Sequence, residues 1–191
     1  HFAMIRNPLI TSDGRHTSAL FGFINSIFKI IRDEDPAYLV AVFDAKEKTF
    51  RHEMYPKYKA TREKMPDELR EQLPALWRLI EAFNIPRMEM PGYEADDIIG
   101  ALAVSAKELG IESYIVSGDK DFMQLVNDHI FLYTPGRQGA KADVVDRKGV
   151  EEKWNVQPEQ IIDLLGLMGD SSDNVPGVMG IGKKTAVSLL Q

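Results

Sequence analysis

Between residues 17 and 32, Leu20, Phe23, Ile24, Ile27, Phe28 and Ile31 recur at the spacing of one helix face, behind a Ser12-Asp13-Gly14 turn. A helix is predicted there. The run Tyr38-Leu39-Val40-Ala41-Val42-Phe43 is bounded by Pro36 and Asp44 and predicts a short buried strand of the parallel kind. Pro66 opens a second helical pattern carrying Leu69, Leu73, Leu76, Trp77, Ile80 and Phe83, which Pro74 is set to kink or split. A third helix is expected from about 94 to 109, behind Pro91-Gly92 and closed by Gly110. Strands are expected at 111–116, at 130–133 and briefly at 143–145. A helix at 158–168 then leads into a loop at 169–173, and a Gly-rich turn at 176–185 feeds a last helix. Strands alternating with helices predict a doubly wound α/β layer.

The polar stretch 46–65, punctuated by Pro56, has no sustained period and reads as a mobile arm or a pair of short helices. The expected division is an α/β core over 1–157, with the arm at 46–65, and the beginning of a hairpin module over 158–191. A chain of 191 residues with 44% hydrophobic content can bury one substantial core. No apolar run reaches the roughly 18 residues that would span a bilayer, so no membrane partner is expected. No secretory leader is recognisable, and zero cysteines exclude disulfide and thiolate chemistry. The expected compartment is the cytoplasm. His1 is not an initiator, and residues 1–8 read as the end of something begun earlier, so the chain is expected to be a fragment.

Acidic residues fall in four clusters: Asp44; Glu94, Asp96 and Asp97; Asp119 and Asp121; Asp170 and Asp173. Asp44 ends the strongest predicted strand, where open α/β sheets bind ligands, although a lone Asp there serves equally as a helix cap. The same choice applies to Asp119 and Asp121. Three carboxylates at residues 94–97 exceed what capping needs, since each is worth only about 0.3–1 kcal/mol at a helix start. If all eight converged they would repel one another and take up protons unless cations neutralised them. Oxygen-only ligands select Mg²⁺ or Mn²⁺ over Zn²⁺, and a pair of such ions suits phosphodiester hydrolysis.

The net charge of −6 argues at face value against a polyanionic partner, yet its distribution points the other way. Residues 46–64 carry a local charge of +4. In that arm Phe50, Tyr55 and Tyr58 interleave with Arg51, Lys57, Lys59 and Arg62, as a grip on single-stranded nucleic acid would; a plain solvated basic surface is the alternative. Pro176 and Gly177, followed by Gly180, Gly182, Lys183, Lys184 and Thr185, are similar to the hairpin of helix-hairpin-helix DNA-binding motifs. A nucleotide P-loop fits less well, because Lys184 stands where Ser or Thr is needed and no strand is predicted before it.

Together Val42-Phe43-Asp44-Ala45, Phe50-Arg51, Tyr58-Lys59-x-x-Arg62, Glu94-Ala95-Asp96-Asp97, Ser117-Gly118-Asp119-Lys120-Asp121 and the run from Leu167 to Gly177 resemble, in order, the 5′ nuclease domain of bacterial DNA polymerase I and the wider flap endonuclease family. That resemblance covers essentially the whole chain. It implies a PIN-like mixed, mostly parallel sheet flanked by helices, a helical arch and a C-terminal helix-three-turn-helix module. The implied activity is Mg²⁺-dependent hydrolysis of DNA carrying a 5′ flap or 5′ end at a single-strand/duplex junction, in Okazaki fragment processing and repair at the bacterial nucleoid. By position, the eight carboxylates are implied metal ligands. Lys59 and Arg62 are implied phosphate-holding cations and Tyr58 a base-stacking neighbour. The hairpin from Gly177 to Thr185 is the implied duplex contact, with K⁺ on its carbonyls. A covalently linked polymerase domain is a further implied partner. The family's N-terminal strand and its metal-binding Asp have no counterpart here, which leaves the activity of these residues by themselves open. The rival readings are a non-catalytic junction-binding module and a PIN-type ribonuclease.

Overall fold

The computed structural model describes residues 8–136 and 141–191, and those residues form two compact units. Most of the reading of residues 1–8 therefore lies outside the described residues. Among them no helix is long and apolar enough to cross a membrane.

The first unit takes in the chain up to Phe43 and residues 63–88. Helix α1, Ser18–Glu34, forms on the predicted apolar face and stops where Asp35 turns left-handed at φ 43°. Strand β1 is Ala41–Val42. Helices α3, Asp67–Arg70, and α4, Leu73–Ala82, divide the second helical pattern at the position expected from Pro74, which falls in the first turn of α4 where its missing N–H costs nothing. Gln72 bridges elements: its Oε1 accepts from the amides of Ala19 and Leu20, at 2.9 and 3.2 Å. Ile27, Leu76, Ile80 and Ile85 are the buried core of this unit.

Here the structure corrects the strand expected at 38–43. Among the described residues only Ala41 and Val42 of this run pair, in parallel with a second two-residue strand, β2, Arg87–Met88, which periodicity did not reveal. Tyr38 is 78% exposed, so the apolar run is not a buried strand along its length.

The second unit takes in residues 44–62 and 89–191. Helix α2 is Phe50–Met54 and α5 is Ala95–Glu108. Strand β3, Ser113–Ile115, pairs in parallel with β4, Ile130–Thr134, and β5, Asp143–Val145, adds antiparallel to β4. Helix α6, Arg147–Trp154, capped by Asp146 at the Gly149 amide, was not anticipated because its exposed face is almost wholly polar. Helix α7, Ile161–Met168, and α8, Lys183–Leu190, pack on that layer through Ile161, Leu164 and Ala186, beside Val126, Ile130 and Val150. Fully burying a side chain such as Leu164 contributes roughly 1.5–3 kcal/mol, so this cluster is what holds the last two helices.

The segment 169–173, expected as plain loop, begins with a strand. Gly169–Asp170, β6, pairs antiparallel with Val175–Pro176, β7. The two backbones approach closely: a Cβ on Gly169 would lie 2.2 Å from the Gly177 nitrogen, and one on Gly177 would lie 2.2 Å from the Met168 carbonyl carbon. Only hydrogen fits at either position.

Candidate active site

Four short pieces of the second unit present the acidic residues, and local chemistry explains each. Glu94 is the extended residue before α5, and Asp97, three positions on, reaches back to accept from the Glu94 amide at 2.9 Å. Asp44 Oδ1 accepts from the Ala95 amide at 2.8 Å, which holds that carboxylate at the start of α5. Asp119 caps the 3-10 turn Lys120–Leu125 by accepting from the Asp121 amide at 3.0 Å. The capping alternative thus holds for Asp119, whereas Asp44 takes the first amide of α5, a helix whose cap is Glu94. Asp170 ends β6, and its Oδ1 takes the amide and hydroxyl of Ser172.

Burial and neighbouring charge shift several of these carboxyls. Partial burial first, then the charges of Asp119 and Asp44, push the Asp96 carboxyl up to about 6. Burial, then Asp119 and Asp170, do the same to Asp121, again to about 6. Asp119 is common to both groups. Asp97 behaves oppositely: the hydrogen-bonded Arg51 guanidinium holds it below the usual carboxylate range. Burial opposes ionisation of Asp170, but Ser172 and Lys120 outweigh it and hold that carboxyl low.

The structure departs from the expectation of eight carboxylates in one ready chelate. Among the described residues no three acidic or His side chains converge with ion-holding geometry by themselves. Basic side chains stand between them instead. Lys59 Nζ lies 2.7 Å from Glu94 and 3.8 Å from Asp173; Arg62 lies 2.7 Å from Asp173, and Lys120 lies 3.1 Å from Asp170. Arg51 forks onto Asp97 with both bonds at 2.7 Å. Carboxylates this close repel, and neighbouring ammonium and guanidinium groups are what neutralise them here. Asp121 Oδ1 is the exception, buried without a hydrogen-bond partner.

The arm is built onto these acids. Lys59 sits in the left-handed region at φ 53°, a strained position for a side chain of its size, and its amide donates to the Asp173 carbonyl at 2.9 Å. Asn174 Nδ2 donates to the Lys57 carbonyl at 2.8 Å. The structure revises the expected stacking role of Tyr58. The residue is only 8% exposed, and its hydroxyl lies 2.9 Å from both Glu94 and Asp173, which assigns it first to holding those carboxylates. Phe50 is partly exposed, edge-on to Tyr93, with Arg51 over its ring at 4.6 Å. In the arm, residues 46–62 of this unit contain one five-residue helix, α2.

In the Gly-rich turn, the residues singled out as DNA contacts have unlike surroundings. Gly177 is required by backbone packing, as above. Gly180 is left-handed at φ 80° in open space, and Gly182 is the extended residue before α8. Lys183 turns back onto its own fold, with Nζ 3.1 Å from the Lys153 carbonyl and 4.1 Å over the Trp154 ring. Lys184 and Thr185 are exposed.

An α/β unit with an acidic strand-and-helix edge, continued by a tight hairpin and a helix pair, defines the chain as a PIN-like α/β protein. Solved structures share that fold. A T5 protein co-crystallised with metal ions aligns over 88% of this chain and 66% of its own at TM-score 0.74 and 25% identity. T5 5′-exonuclease with zinc bound gives TM-score 0.76 at 23% identity, over 88% of this chain and 65% of that one. The catalytic core of Rad2 in complex with DNA substrate gives 0.58 at 20%, over 94% and 53%. The chain belongs to the 5′-3′ exonuclease family: the family's N-terminal resolvase-like domain matches residues 1–155 and its C-terminal SAM fold residues 156–191. Among curated relatives it is 46% identical to DNA polymerase I of Bacillus caldotenax over 96% of this chain and 42% identical to a 5′-3′ exonuclease of Aquifex aeolicus, also over 96%. It spans 21% of the first and 62% of the second.

Proposed function

We propose that this chain is the catalytic part of a divalent-metal-dependent nuclease that hydrolyses DNA phosphodiester bonds at a 5′ end or 5′ flap, near the junction of single strand and duplex. The observation that supports this best is the gathering of carboxylates from four separate segments beneath a basic arm. Asp44, Glu94, Asp96, Asp119, Asp121, Asp170 and Asp173 are the proposed ligands. The donors fit a hard cation. All are oxygens, one buried oxygen of Asp121 has no partner, and two carboxyls are pushed up to about 6, first by burial and then by neighbouring negative charges that such an ion would offset. When bound, two or more Mg²⁺ or Mn²⁺ ions would supply water activation and charge neutralisation at the leaving oxygen.

The remaining roles belong to the chain. Lys59 and Arg62, already drawn to the acids, are suited to hold the phosphate beside them. Tyr58 fixes Glu94 and Asp173. The amides of Gly180 and Gly182, with Lys184 and Thr185, are suited to meet duplex phosphate, and K⁺ on the hairpin carbonyls belongs to the same reading. The relatives named DNA polymerase I support a linked polymerase, work in primer removal and repair, and a place at the bacterial nucleoid.

A 5′-flap duplex incubated with the protein should be cut when Mg²⁺ is present and left intact in excess EDTA. Cleavage that persists in EDTA, or in the Asp119→Asn, Asp170→Asn double variant, would refute the reading. A preference for RNA over flap DNA would favour a PIN-type ribonuclease instead. Metal-independent binding with no product would favour a junction-binding module.

A further inference from the structure

Asp96 and Asp97 are adjacent, so their side chains leave α5 about 100° apart and cannot both look toward the same ion. Asp96 feels chiefly the negative charges of Asp119 and Asp44, with Lys59 and Glu94 acting on it in opposite senses. Asp97 is set among cations, and both of its oxygens are in use: Oδ1 takes Arg51 Nη2, while Oδ2 takes Arg51 Nη1 and the Glu94 amide. The planar guanidinium matches a carboxylate in a way that a lysine could not. Next to it, the Phe50 amide donates to the Gly92 carbonyl at 3.2 Å, so α2 is fastened at two points to the turn that leads into α5.

We propose that Arg51 and Asp97 are a positioning pair, in which Arg51 clamps Asp97 and Asp97 fixes the Glu94 backbone, so that Glu94 and Asp96 are presented to metal while Asp97 itself binds none and Arg51 holds no DNA. This rests on the metal-dependent reading above. It removes one residue from the expected ligands and one from the expected DNA contacts.

The decisive measurement is Mn²⁺ binding by calorimetry or paramagnetic resonance, on protein without DNA. Arg51 Nη1 also lies 3.8 Å from Glu94, so Arg51→Gln removes a competing cation there under either reading; if Asp97 were a ligand, the change would free it as well, and Mn²⁺ would tighten. The positioning role predicts the reverse: weakening by about tenfold, as for residues that orient a metal site. The Asp97→Asn variant should keep the full Mn²⁺ stoichiometry, and the double variant should be no weaker than either single one. Amide hydrogen exchange at residues 94–97 should speed up in all three. Arg51→Lys, which keeps the charge and loses the fork, should remain folded and still weaken Mn²⁺. Tighter Mn²⁺ in Arg51→Gln or Arg51→Lys, or loss of one ion in Asp97→Asn, would overturn the proposal. So would a drop in the salt dependence of DNA binding on Arg51→Gln, which removes the charge. The underlying reading fails separately, if wild-type protein binds no Mn²⁺ or Asp96→Asn changes nothing.

Discussion

Gly177→Ala separates packing from recognition at a residue first singled out as a DNA contact. A methyl group there would sit 2.2 and 2.3 Å from the carbonyl carbon and oxygen of Met168 and 2.5 Å from the Gly169 nitrogen. All three are backbone atoms of a paired turn, so relief requires moving main chain and not a side-chain tip. Overpacking costs about 1–3 kcal/mol, and an obstruction made of backbone belongs at the upper end, about 3 kcal/mol. For a protein of this length each kcal/mol moves Tm by about 2–4 °C, which gives a drop of about 6–12 °C. Gly166 supplies the contrast: it lies inside α7 with nothing within 4 Å of a Cβ, so Gly166→Ala should gain about 0.5–1 kcal/mol from helix propensity. Urea unfolding followed through Trp154, which packs against the core of the same unit, reads both changes. Below its transition, Gly177→Ala should bind duplex DNA with an unchanged salt slope. Unaltered stability together with weaker binding would refute the packing argument.

Three further outcomes follow from the site. In chelator, stability should fall as pH rises from about 4 to 6: folded Asp96 and Asp121, each pushed up to about 6, hold protons that unfolded carboxylates near 3.9 have released. Asp97 and Asp170, held low, contribute in the opposite sense, losing their stabilisation as pH falls below about 4. A urea midpoint that rises between pH 5 and 7 would contradict this sign, and Asp96→Asn with Asp121→Asn should flatten the dependence. Tyr58→Phe should cost about 1.5–3 kcal/mol, the worth of a buried hydrogen bond to a charged group, measurable as a lower denaturation midpoint; no change would mean the hydroxyl anchors neither Glu94 nor Asp173. Lys184→Gln should lower the salt slope of duplex binding by about one unit, whereas Lys183→Gln should lower stability, because that ammonium is already spent on Trp154 and a carbonyl. Equal slopes for the two variants would count against the distinction.

Much was legible in local pattern. The apolar stripe of α1, the break at Pro74, the glycine after α5 and the strands at β3, β4 and β5 follow from side-chain periodicity and from backbone limits that act within a few residues. The acidic clusters were equally visible, since a carboxylate is a carboxylate wherever the chain goes. The two-residue strand β2 and the β6–β7 pair were not visible, because strands that short carry no period and exist only through their partners. Nor could the order of residues reveal that Tyr58 is buried, that the exposed Lys183 lies over the Trp154 ring, or that Asp97 is forked by Arg51 while its neighbour Asp96 stands by Asp119 and Asp44. Residue type and spacing determined the elements and which charges were available. Which charges would stand opposite one another was decided by tertiary structure, because electrostatic partners 35 to 111 residues apart in the chain become neighbours only when the backbone brings them within a few ångströms.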